Sequence, residues 1–563
     1  MKVKKLAIGM TAIMLAFGAI GCDGGANGDN ALKIKILNYG GGIGSIWLED
    51  AIKRFEAEVE NKPYGDYKGV SIKYTPTQDM ALSEIATSGT HIYFTESTST
   101  IRTMIQNGEL MDITDVVENI GADGKTILSK IDESYRVMLK GPQDKYYALP
   151  HYEFYSGISY DMELFDANGY YFAAPSETDV APFTSVMGFG AANFVGSVDA
   201  TKSCGPNGES GDYDDGLPSS VQELLLLCEK MNGDSVTPIL YATGDESYSN
   251  KLASGLWASL SGYQEMCAYH SYDDTITIVD GYESTNLFNS DIPTPSTREV
   301  LLTEETGYYA SQQVARYYTL AFMEMAFKNG YFESVEVYSN TGAQSDFISN
   351  GVGKNDTYGM LLEGNYWINE ADDDKLFYDY YTAIKNEKNY RNIGWMPLPA
   401  QWAGSVTEGN GSTPTMVDVA ASYAFINNRF ANNAAVSEAC KDFLKFLYTD
   451  AELSHFTGTT GVAKAALNYT LEKADKDKLS AFESSVFAMK SEGNIVYATA
   501  DNPTFLGAYQ QLRVGGNSPL LKPVFSGKSY NTVLEAIRIG KTSKEIFEGT
   551  VLDATKWMEY YKG

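Results

Sequence analysis

Alternating strand-like and helix-like stretches occupy the chain from residue 31 to residue 96, and this order constrains the fold most strongly. The first stretch alternates apolar and charged side chains, as a half-buried strand does. A glycine-rich turn follows, and then apolar residues recur at helical spacing. The pattern predicts strands at 31–37, 70–74 and 91–96 and helices at about 45–59 and 80–87. This β-α-β order predicts an α/β fold with a mainly parallel sheet, whose ligands bind at the carboxyl ends of the strands.

The rest of the chain continues this pattern with longer pieces. A strand at 157–160 and a short helix at 162–168 come before a stretch from about 172 to 216 that is rich in Gly, Ala, Ser and Asp. That stretch is too long for a normal connector, so we interpret it as an insertion or flap. Helices are predicted at 218–231 (capped by Ser219 or Ser220), 311–329, 437–448, 474–490 and 543–561.

The first 31 residues have the pattern of an export signal followed by a tether. Three lysines precede an apolar stretch that is shorter than the roughly 20 residues of a membrane-spanning helix. The stretch ends in Ala19-Ile20-Gly21-Cys22, which resembles the lipobox of bacterial lipoproteins. This resemblance implies that 1–21 are a lipoprotein signal peptide, that Cys22 carries the lipid, and that 22–31 form a flexible tether. An ordinary cleaved signal with an incidental cysteine is the alternative.

The compartment follows from this N-terminus. We expect the mature protein to be lipid-anchored on the outer face of the cytoplasmic membrane, because two or more acyl chains hold a protein firmly there. A protein in that position cannot rely on ATP or a cytosolic cofactor, so we expect no cofactor. Binding of a solute outside the cell is the leading hypothesis.

Charge and residue usage exclude several classes of function. The net charge of −30 argues against nucleic-acid binding, because phosphate neutralisation needs a basic face. The cysteines Cys204, Cys228, Cys267 and Cys440 lack the spacing of a zinc site. We expect them to be buried free thiols, although export would permit a disulfide, for example between Cys204 and Cys228. The 40 tyrosines suit the binding of hydroxylated ligands, since each offers a flat apolar face and a hydroxyl.

Several blocks, taken in order, resemble the family 1 extracellular solute-binding proteins of carbohydrate ABC transporters, the family that includes maltose-binding protein. The resemblance runs from about Leu32 to the C-terminus and excludes 172–216. Its blocks are Tyr147–Gly169, Pro218–Leu224 (with Val221 in place of the usual Trp), Glu363–Trp367, Ile393–Pro399, and Lys441–Ala451 with Gly461–Ala463.

This resemblance implies a two-lobe periplasmic-binding-protein (Venus flytrap) fold of the α/β class, with a ligand cleft between the lobes. Lobe 1 would comprise 32–146 with 395–450, and lobe 2 would comprise 147–394 with 451–563, including the insertion. The implied function is that of an extracytoplasmic substrate-binding lipoprotein of an ABC importer. As a monomer, it would capture a sugar or oligosaccharide and deliver it to the membrane permease subunits.

Four candidate ligand-binding residues follow from their positions in lobe 1 and at the first crossing between lobes. Trp47 starts the first helix beside the glycine-rich turn, and a core contact is its alternative role. Glu96 ends a predicted strand, where a carboxylate could accept bonds from hydroxyl groups or cap a helix. Tyr152 and Tyr155 follow Pro150 at the crossing.

Five further candidates lie in lobe 2. Trp257 stands in a Gly/Ala/Ser-rich helical segment, as either a ligand platform or a core residue. The resemblance places the family's ligand-contacting tryptophan at Trp367 and a late aromatic residue at Tyr509. Glu363 and Asn365, at alternating spacing from Trp367, could hydrogen-bond the edge of a sugar.

Other functions have weaker support in the sequence. HExxH, GxSxG and complete phosphate-loop motifs are absent, so we expect no enzyme activity, and a secreted carbohydrate-active enzyme is the weakest alternative. Dispersed Tyr-Tyr pairs leave a ferric-ion binder open, and the chain length leaves an oligopeptide binder open. Residues 212–216 suggest calcium, but their spacing departs from the EF-hand loop, so we expect a disordered acidic turn and no metal.

Overall fold

The computed structural model describes residues 30–77, 82–96, 101–333, 338–350, 356–384, 391–418, 422–492, 494–497 and 512–562. The strands are β1 Leu32–Tyr39, β2 Pro63–Tyr64, β3 Tyr67–Lys68, β4 Val70–Thr77, β5 Ile92–Glu96, β6 Leu149–Pro150, β7 Ser156–Asp161, β8 Val180–Thr184, β9 Ala191–Val195, β10 Thr237–Leu240, β11 Thr275–Asn286, β12 Pro293–Leu301, β13 Tyr358–Gly364, β14 Ile393–Met396, β15 Thr415–Asp418, β16 Ser422–Ile426, β17 Asn494–Tyr497, β18 Val524–Phe525 and β19 Lys528–Ser529.

The α-helices vary from single turns to seven turns. They are α1 Ile46–Glu58, α2 Ile101–Gln106, α3 Thr114–Glu118, α4 Arg136–Leu139, α5 Met162–Asn168, α6 Val221–Gly233, α7 Ser247–Ser271, α8 Val314–Lys328, α9 Asn340–Ile348, α10 Trp367–Asp373, α11 Leu376–Ile384, α12 Ala434–Leu447, α13 Asp450–Thr460, α14 Lys473–Lys476, α15 Ala481–Glu492, α16 Val533–Arg538, α17 Ser543–Gly549 and α18 Ala554–Lys562. Within the described ranges, no helix has both the length and the apolar character needed to cross a bilayer.

The first lobe is built on a five-stranded sheet with the order β4-β1-β5-β16-β6. β1 pairs in parallel with β4 and β5, whereas β16 runs antiparallel to β5 and β6. Along β1 the side chains alternate as predicted, with Leu32, Ile34 and Ile36 buried and the lysines between them exposed. The apolar faces of α1 and α12 cover this sheet and complete one core.

The second lobe is built on a four-stranded sheet with the order β10-β13-β7-β14. Every residue of β13 is buried, because the strand lies inside the sheet and helices cover the sheet. The 25-residue helix α7 packs against β7 and against α8, and a glycine at 262 with positive φ breaks it into two parts. The sheet and these helices form the apolar cores of the lobe.

Among the residues that the structure describes, the chain passes between the lobes at three places. The first crossing is His151–Tyr155, the second lies between β15 and β16, and the third lies between α14 and α15. The predicted boundaries at 394/395 and 450/451 differ from this arrangement. β14 pairs with β7 of lobe 2, and α13 packs in lobe 1, where Glu452 forms an ion pair with Arg54 of α1.

The insertion at 172–216 folds onto lobe 2. It contains the antiparallel hairpin β8–β9, and Phe194 of this hairpin packs on Phe172 with ring centroids 4.6 Å apart. The four cysteines beyond Cys22 are free thiols, as expected. The disulfide that export would permit, for example between Cys204 and Cys228, is not formed.

Several predicted helices have shorter bounds in the structure. Residues 474–490 form α14 and α15 rather than one helix, because the Oγ of Ser480 accepts a hydrogen bond from the backbone N–H of Glu483 and starts a new helix. Residues 543–561 divide in the same way, since Asp553 accepts from the N–H of Lys556. Of the predicted helix at 80–87, the described part is a 3₁₀ turn at Leu82–Glu84.

Candidate functional site

Side chains from both lobes converge where the loop after β1 meets the connection between β13 and α10. Lobe 1 contributes the carboxyl ends of β1 and β5 and the first crossing segment. Lobe 2 contributes the first turns of α7, the end of β13 and the start of α10. We name this group the interlobe cluster, and it consists of Tyr39, Glu96, Tyr152, Tyr248, Lys251, Glu363, Tyr366 and Glu370.

Aromatic rings form one part of the interlobe cluster. The rings of Tyr152 and Tyr366 meet edge to face across the lobes, with centroids 6.2 Å apart. Gly42 lies against both rings with a φ of +62°, and a Cβ at this position would stand 3.4 Å from the hydroxyl of Tyr152. The backbone of Gly42 therefore needs the left-handed conformation that glycine tolerates. The Tyr152 hydroxyl is buried and forms no hydrogen bond of ordinary geometry.

Charged groups form the other part. Lys251 lies with its Nζ 3.4 Å from the centroid of the Tyr248 ring, and four carboxyl groups act on its charge: those of Glu363, Glu370, Asp245 and Glu96. Burial lowers the pKa of Lys251, and the surrounding carboxylates oppose this shift. Four carboxyl groups thus surround one ammonium group, so acidic groups are in excess here.

The carboxyl groups respond to this crowding by holding protons more tightly. Burial raises the pKa of Glu363, and the nearby Lys251 opposes the rise. Burial and the charge of Glu363 raise the pKa of Glu370 to about 7. Burial also raises the pKa of Glu96, although the hydroxyls of Tyr152 and Tyr39 stabilise its charged form. Glu370 can therefore both accept and donate hydrogen bonds near neutral pH.

Helix α9 fixes the position of two of these acids. The Nε2 of the buried Gln344 donates to Glu363 Oε1 at 3.0 Å and to Glu370 Oε2 at 3.3 Å. The Oε1 of Gln344 is buried without a hydrogen-bond partner. Because its amide bridges the two acids, Gln344 sets their spacing.

A buried hub next to the cluster joins the two lobes. Glu153 has no exposed surface and accepts hydrogen bonds from four donors: the N–H of Ala466 at 3.2 Å, the hydroxyl of Tyr497 at 2.8 Å, the ammonium of Lys490 and the hydroxyl of Tyr155. Ala466 belongs to lobe 1, whereas Lys490 and Tyr155 belong to lobe 2. Glu153 thus links the two lobes through hydrogen bonds.

A second buried charge lies in lobe 1, below the crossing. The Nζ of Lys464 is 2.8 Å from His151 Nδ1 and lies among aromatic rings, 4.9 Å from the centroid of Trp47 and 4.2 Å from that of Phe456. Among the described residues, no carboxylate oxygen is within 4.0 Å of this Nζ. Burial lowers the pKa of Lys464 well below its usual range, which favours the neutral amine.

Three of the predicted site residues come together in the interlobe cluster. They are Glu96, Tyr152 and Glu363. Tyr155 and Asn365 lie next to the cluster, in the hinge itself. The Oδ1 of Asn365 accepts from the backbone N–H of Tyr155 at 3.0 Å, so this pair holds the crossing segment.

The three predicted tryptophans lie in hydrophobic cores; for Trp367 this differs from the expected ligand contact, whereas for Trp47 and Trp257 a core position was the stated alternative. Trp367 is fully buried, and its Nε1 donates to Ser159 Oγ at 2.9 Å. Trp257 is also fully buried, and its Nε1 donates to Gln313 Oε1 at 2.6 Å. Trp47 is buried in the core of lobe 1, which is the core contact given as its alternative role. In each case, the apolar face of the helix turns the ring inward.

Two predicted positions, Tyr509 and Cys22, lie outside the described residues. Five members of the cluster were not predicted: Tyr39, Tyr248, Lys251, Tyr366 and Glu370. Tyr39 ends the first parallel strand, so the rule that ligands bind at the carboxyl ends of strands could have identified it. Lys251 follows three polar residues in a helix that is otherwise rich in buried apolar positions, which is a weaker signal.

A separate small pocket lies between α7, β14 and β15. Its walls include Trp395, Met396, Leu398 and Val514, so most of the surface that it offers is apolar. It therefore provides fewer hydrogen-bonding groups than the interlobe cluster, and we place the candidate ligand site at the cluster.

Comparison with known proteins gives structural but not sequence relatives. No protein-family model and no curated sequence matches this chain. The structure is similar to a chitin oligosaccharide binding protein, with a TM-score of 0.53 and 14% identity over 95% of this chain and 100% of that one. It is also similar to a probable secreted solute-binding lipoprotein from Streptomyces coelicolor, with a TM-score of 0.51 and 12% identity over 95% and 100% of the two chains.

A third similar structure is a cyclic α-maltosyl-1,6-maltose binding protein from Arthrobacter globiformis. Its TM-score is 0.51, and the 12% identity extends over 94% of this chain and 99% of that one. One of the three is named as a solute-binding lipoprotein, and the other two are named for the oligosaccharide that each binds. The likeness shows that this chain has the two-lobe fold of solute-binding proteins, which confirms the predicted fold.

Proposed function

We propose that this protein is an extracytoplasmic substrate-binding lipoprotein of an ABC importer, and that it captures a sugar or oligosaccharide in the cleft between its lobes. The observation that carries this proposal is the interlobe cluster, in which aromatic rings and carboxyl groups from both lobes converge. Two of the similar structures are named for the oligosaccharide that each binds, which supports the same class of ligand. Because no protein-family model and no curated sequence matches this chain, experiment must identify the sugar.

The chemistry of the cluster suits a carbohydrate. A sugar ring presents a face of axial C–H groups, which packs on aromatic rings such as those of Tyr152 and Tyr366. Its rim presents hydroxyl groups, which need polar partners such as Glu96 and Glu370. A buried polar group without a partner costs about 1–3 kcal/mol, so a site of this kind discriminates between hydroxyl patterns.

Closure of the lobes would make binding detectable to a permease. A ligand that contacts both lobes does so fully only when the cleft is shut, so its binding shifts the population toward the closed state. Three crossings provide a hinge that can rotate without unfolding either lobe. We infer that the permease recognises this closed shape, and that the protein binds its sugar without chemical conversion.

The N-terminal part of the proposal concerns anchoring. We infer that Cys22 carries the lipid, because it ends a lipobox-like sequence after an apolar stretch. Cells that express Cys22→Ser should release the protein from the membrane fraction, and labelled palmitate should mark the parent protein alone. A variant that stays membrane-bound and labelled would contradict lipidation at this residue.

A thermal-shift screen tests the binding function. Purified protein is heated with mono- and oligosaccharides, with peptides and Fe(III) as the competing ligand classes. A ligand that binds only the folded state raises the melting temperature by mass action, so we expect a shift with one class of sugar. A shift with peptides or with Fe(III) alone would overturn the assignment to sugar.

Two variants then locate the site. Calorimetric titration of Glu370→Gln with the sugar found in the screen should show a loss of about tenfold or more, because a hydrogen bond to a charged group contributes about 1.5–3 kcal/mol. Glu299→Gln makes the same chemical change on the exposed surface of β12 and should bind as the parent does. Equal affinities for all three proteins would place the sugar elsewhere.

A further inference from the structure

The insertion brings three carboxylates together in the loop that follows Cys204. One ligand oxygen from each of Asp212, Asp214 and Asp215 lies within 4.8 Å of the others. The structure describes this loop and packs it against 406–412, with hydrogen bonds from Gly409 N to Gly208 O at 2.8 Å and from Ser412 N to Pro206 O at 2.9 Å. The expectation of a disordered acidic turn is therefore wrong.

Asp214 is the residue that distinguishes this group from an ordinary acidic surface. Its side chain is fully buried, and its Oδ1 has no hydrogen-bond partner. Its Oδ2 accepts from the backbone N–H of Asn207 at 3.1 Å, and its carboxyl group also meets that of Asp212, which is another acid. The Oδ1 of Asp215 is also buried without a partner. A buried carboxylate oxygen without a partner is costly, so these two atoms require an explanation.

Basic side chains do not supply the missing partner. Among the described residues, no lysine, arginine or histidine nitrogen lies within 4.0 Å of these three carboxylates. Lys202 attracts Asp215 only weakly and forms its ion pair with Asp166, at 3.8 Å. Glu492 adds a further negative charge close by. Burial and the neighbouring Asp212 raise the pKa of Asp214 to about 9, as expected for a carboxyl group without a counter-charge.

We propose that Asp212, Asp214 and Asp215 bind a calcium ion. Calcium is a hard cation that takes carboxylate and carbonyl oxygens in irregular geometries, whereas magnesium demands a strict octahedron. Hydrogen bonds already fix the carboxylate of Asp212, since Asp214 N donates to its Oδ1 at 3.2 Å and Asn207 Nδ2 to its Oδ2 at 2.7 Å. Such outer partners hold ligating oxygens in place before the metal arrives.

The ion would fasten the insertion to lobe 2. The backbone of Gly205 packs closely against Asp214, since a Cβ added at Gly205 would stand 2.6 Å from the Oδ1 of Asp214. Loop 204–216 reaches 406–412 through backbone hydrogen bonds, and Cys204 Sγ donates to Val406 O at 3.8 Å. Neutralising the three carboxylates would remove the repulsion inside this contact, so calcium binding should stabilise the folded protein.

Calcium titration of the purified protein tests the proposal. After chelator treatment and removal of the chelator, CaCl₂ should raise the melting temperature with saturation, and calorimetry should give one ion per chain. Asp214→Asn should weaken calcium binding at least tenfold. The matched control is Asp199→Asn, which changes an exposed aspartate of the same insertion and should bind calcium as the parent does.

Terbium luminescence gives a second readout that does not depend on stability. Tyr213 lies between two of the ligands and should sensitise bound Tb³⁺, and added calcium should displace the signal. The proposal is overturned if the parent gives neither a thermal shift nor a terbium signal. It is also overturned if Asp214→Asn binds calcium like the parent, or if MgCl₂ at equal concentration reproduces the full effect of calcium.

Discussion

We expect Glu153→Gln to destabilise the protein more than any exposed Glu→Gln change. Glu153 is buried and accepts four hydrogen bonds, which come from Ala466, Tyr497, Lys490 and Tyr155. A glutamine replaces one acceptor oxygen by an NH₂ group, so at least one donor must lose its partner. The ammonium of Lys490, whose side chain is 11% exposed, also loses its counter-charge.

The magnitude follows from these losses. Removing one partner of a buried ion pair costs about 3–5 kcal/mol, because the remaining charge stays in a poorly solvated position. We therefore expect Glu153→Gln to lower the free energy of unfolding by about 3–5 kcal/mol. Urea denaturation followed by circular dichroism measures this change. Glu299→Gln on the exposed surface should change the same quantity by less than about 0.5 kcal/mol.

A double-mutant cycle identifies the cause. Lys490→Met removes the charge that Glu153→Gln leaves without a partner, so the double variant should be more stable than the sum of the two single losses predicts. A loss below about 1 kcal/mol for Glu153→Gln would refute the reasoning. A loss that small is what one ordinary hydrogen bond contributes, so no buried charge would have lost its partner. Strict additivity in the cycle would show that Lys490 and Glu153 are not coupled.

Two further predictions concern the other buried titratable groups. Lys464→Met should raise the free energy of unfolding at pH 7, because burying Lys464 among aromatic rings requires either loss of the proton that the unfolded chain holds or burial of an uncompensated charge. Because burial lowers the pKa of Lys464, the unfolded chain binds more protons than the folded protein does. The stability gained by Lys464→Met should therefore shrink between pH 7 and pH 10. An unchanged gain across this range in urea denaturation would contradict the reasoning. Glu370 has a pKa that is raised to about 7 in the folded protein. Between about pH 4.5 and pH 7 the folded protein therefore binds more protons than the unfolded chain, and the contribution of Glu370 to stability is lost as the pH rises through that window. Thermal melts should therefore show that Glu370→Gln gains stability relative to the parent from pH 5 to pH 8, whereas a constant difference would exclude a raised pKa.

The sequence predicted the first lobe well, because the spacing of its apolar residues matches the side chains that the structure buries. Along β1, alternate residues point into the core, so Leu32, Ile34 and Ile36 could be recognised directly. The parallel pairing with β4 and β5 followed from the helix between strands. The predicted boundary between the lobes at 394/395 differs from the structure, because the sequence of a short buried strand such as β14 does not show which sheet the strand joins.

The site was harder to predict because neighbouring aromatic residues have opposite roles. Tyr366 and Trp367 are adjacent in sequence, yet the start of α10 turns the tyrosine toward the cleft and the tryptophan into the core. The periodicity of an apolar segment marks which residues share a face, but not what lies against that face. Glu96 and Tyr152 were recoverable because each follows a strand end or a crossing, where the fold itself places ligands.

The position of β16 has a consequence for how the chain folds as it is made. β16 lies between β5 and β6 in the first sheet, so both strands keep an open edge until residues 422–426 have been synthesised. The second lobe, whose helices extend to α18, is finished later still. An emerging chain therefore carries unpaired strand edges for most of its synthesis, and such edges attract other chains. We therefore expect a nascent protein of this topology to need chaperones, although in the finished molecule β16 pairs with both β5 and β6.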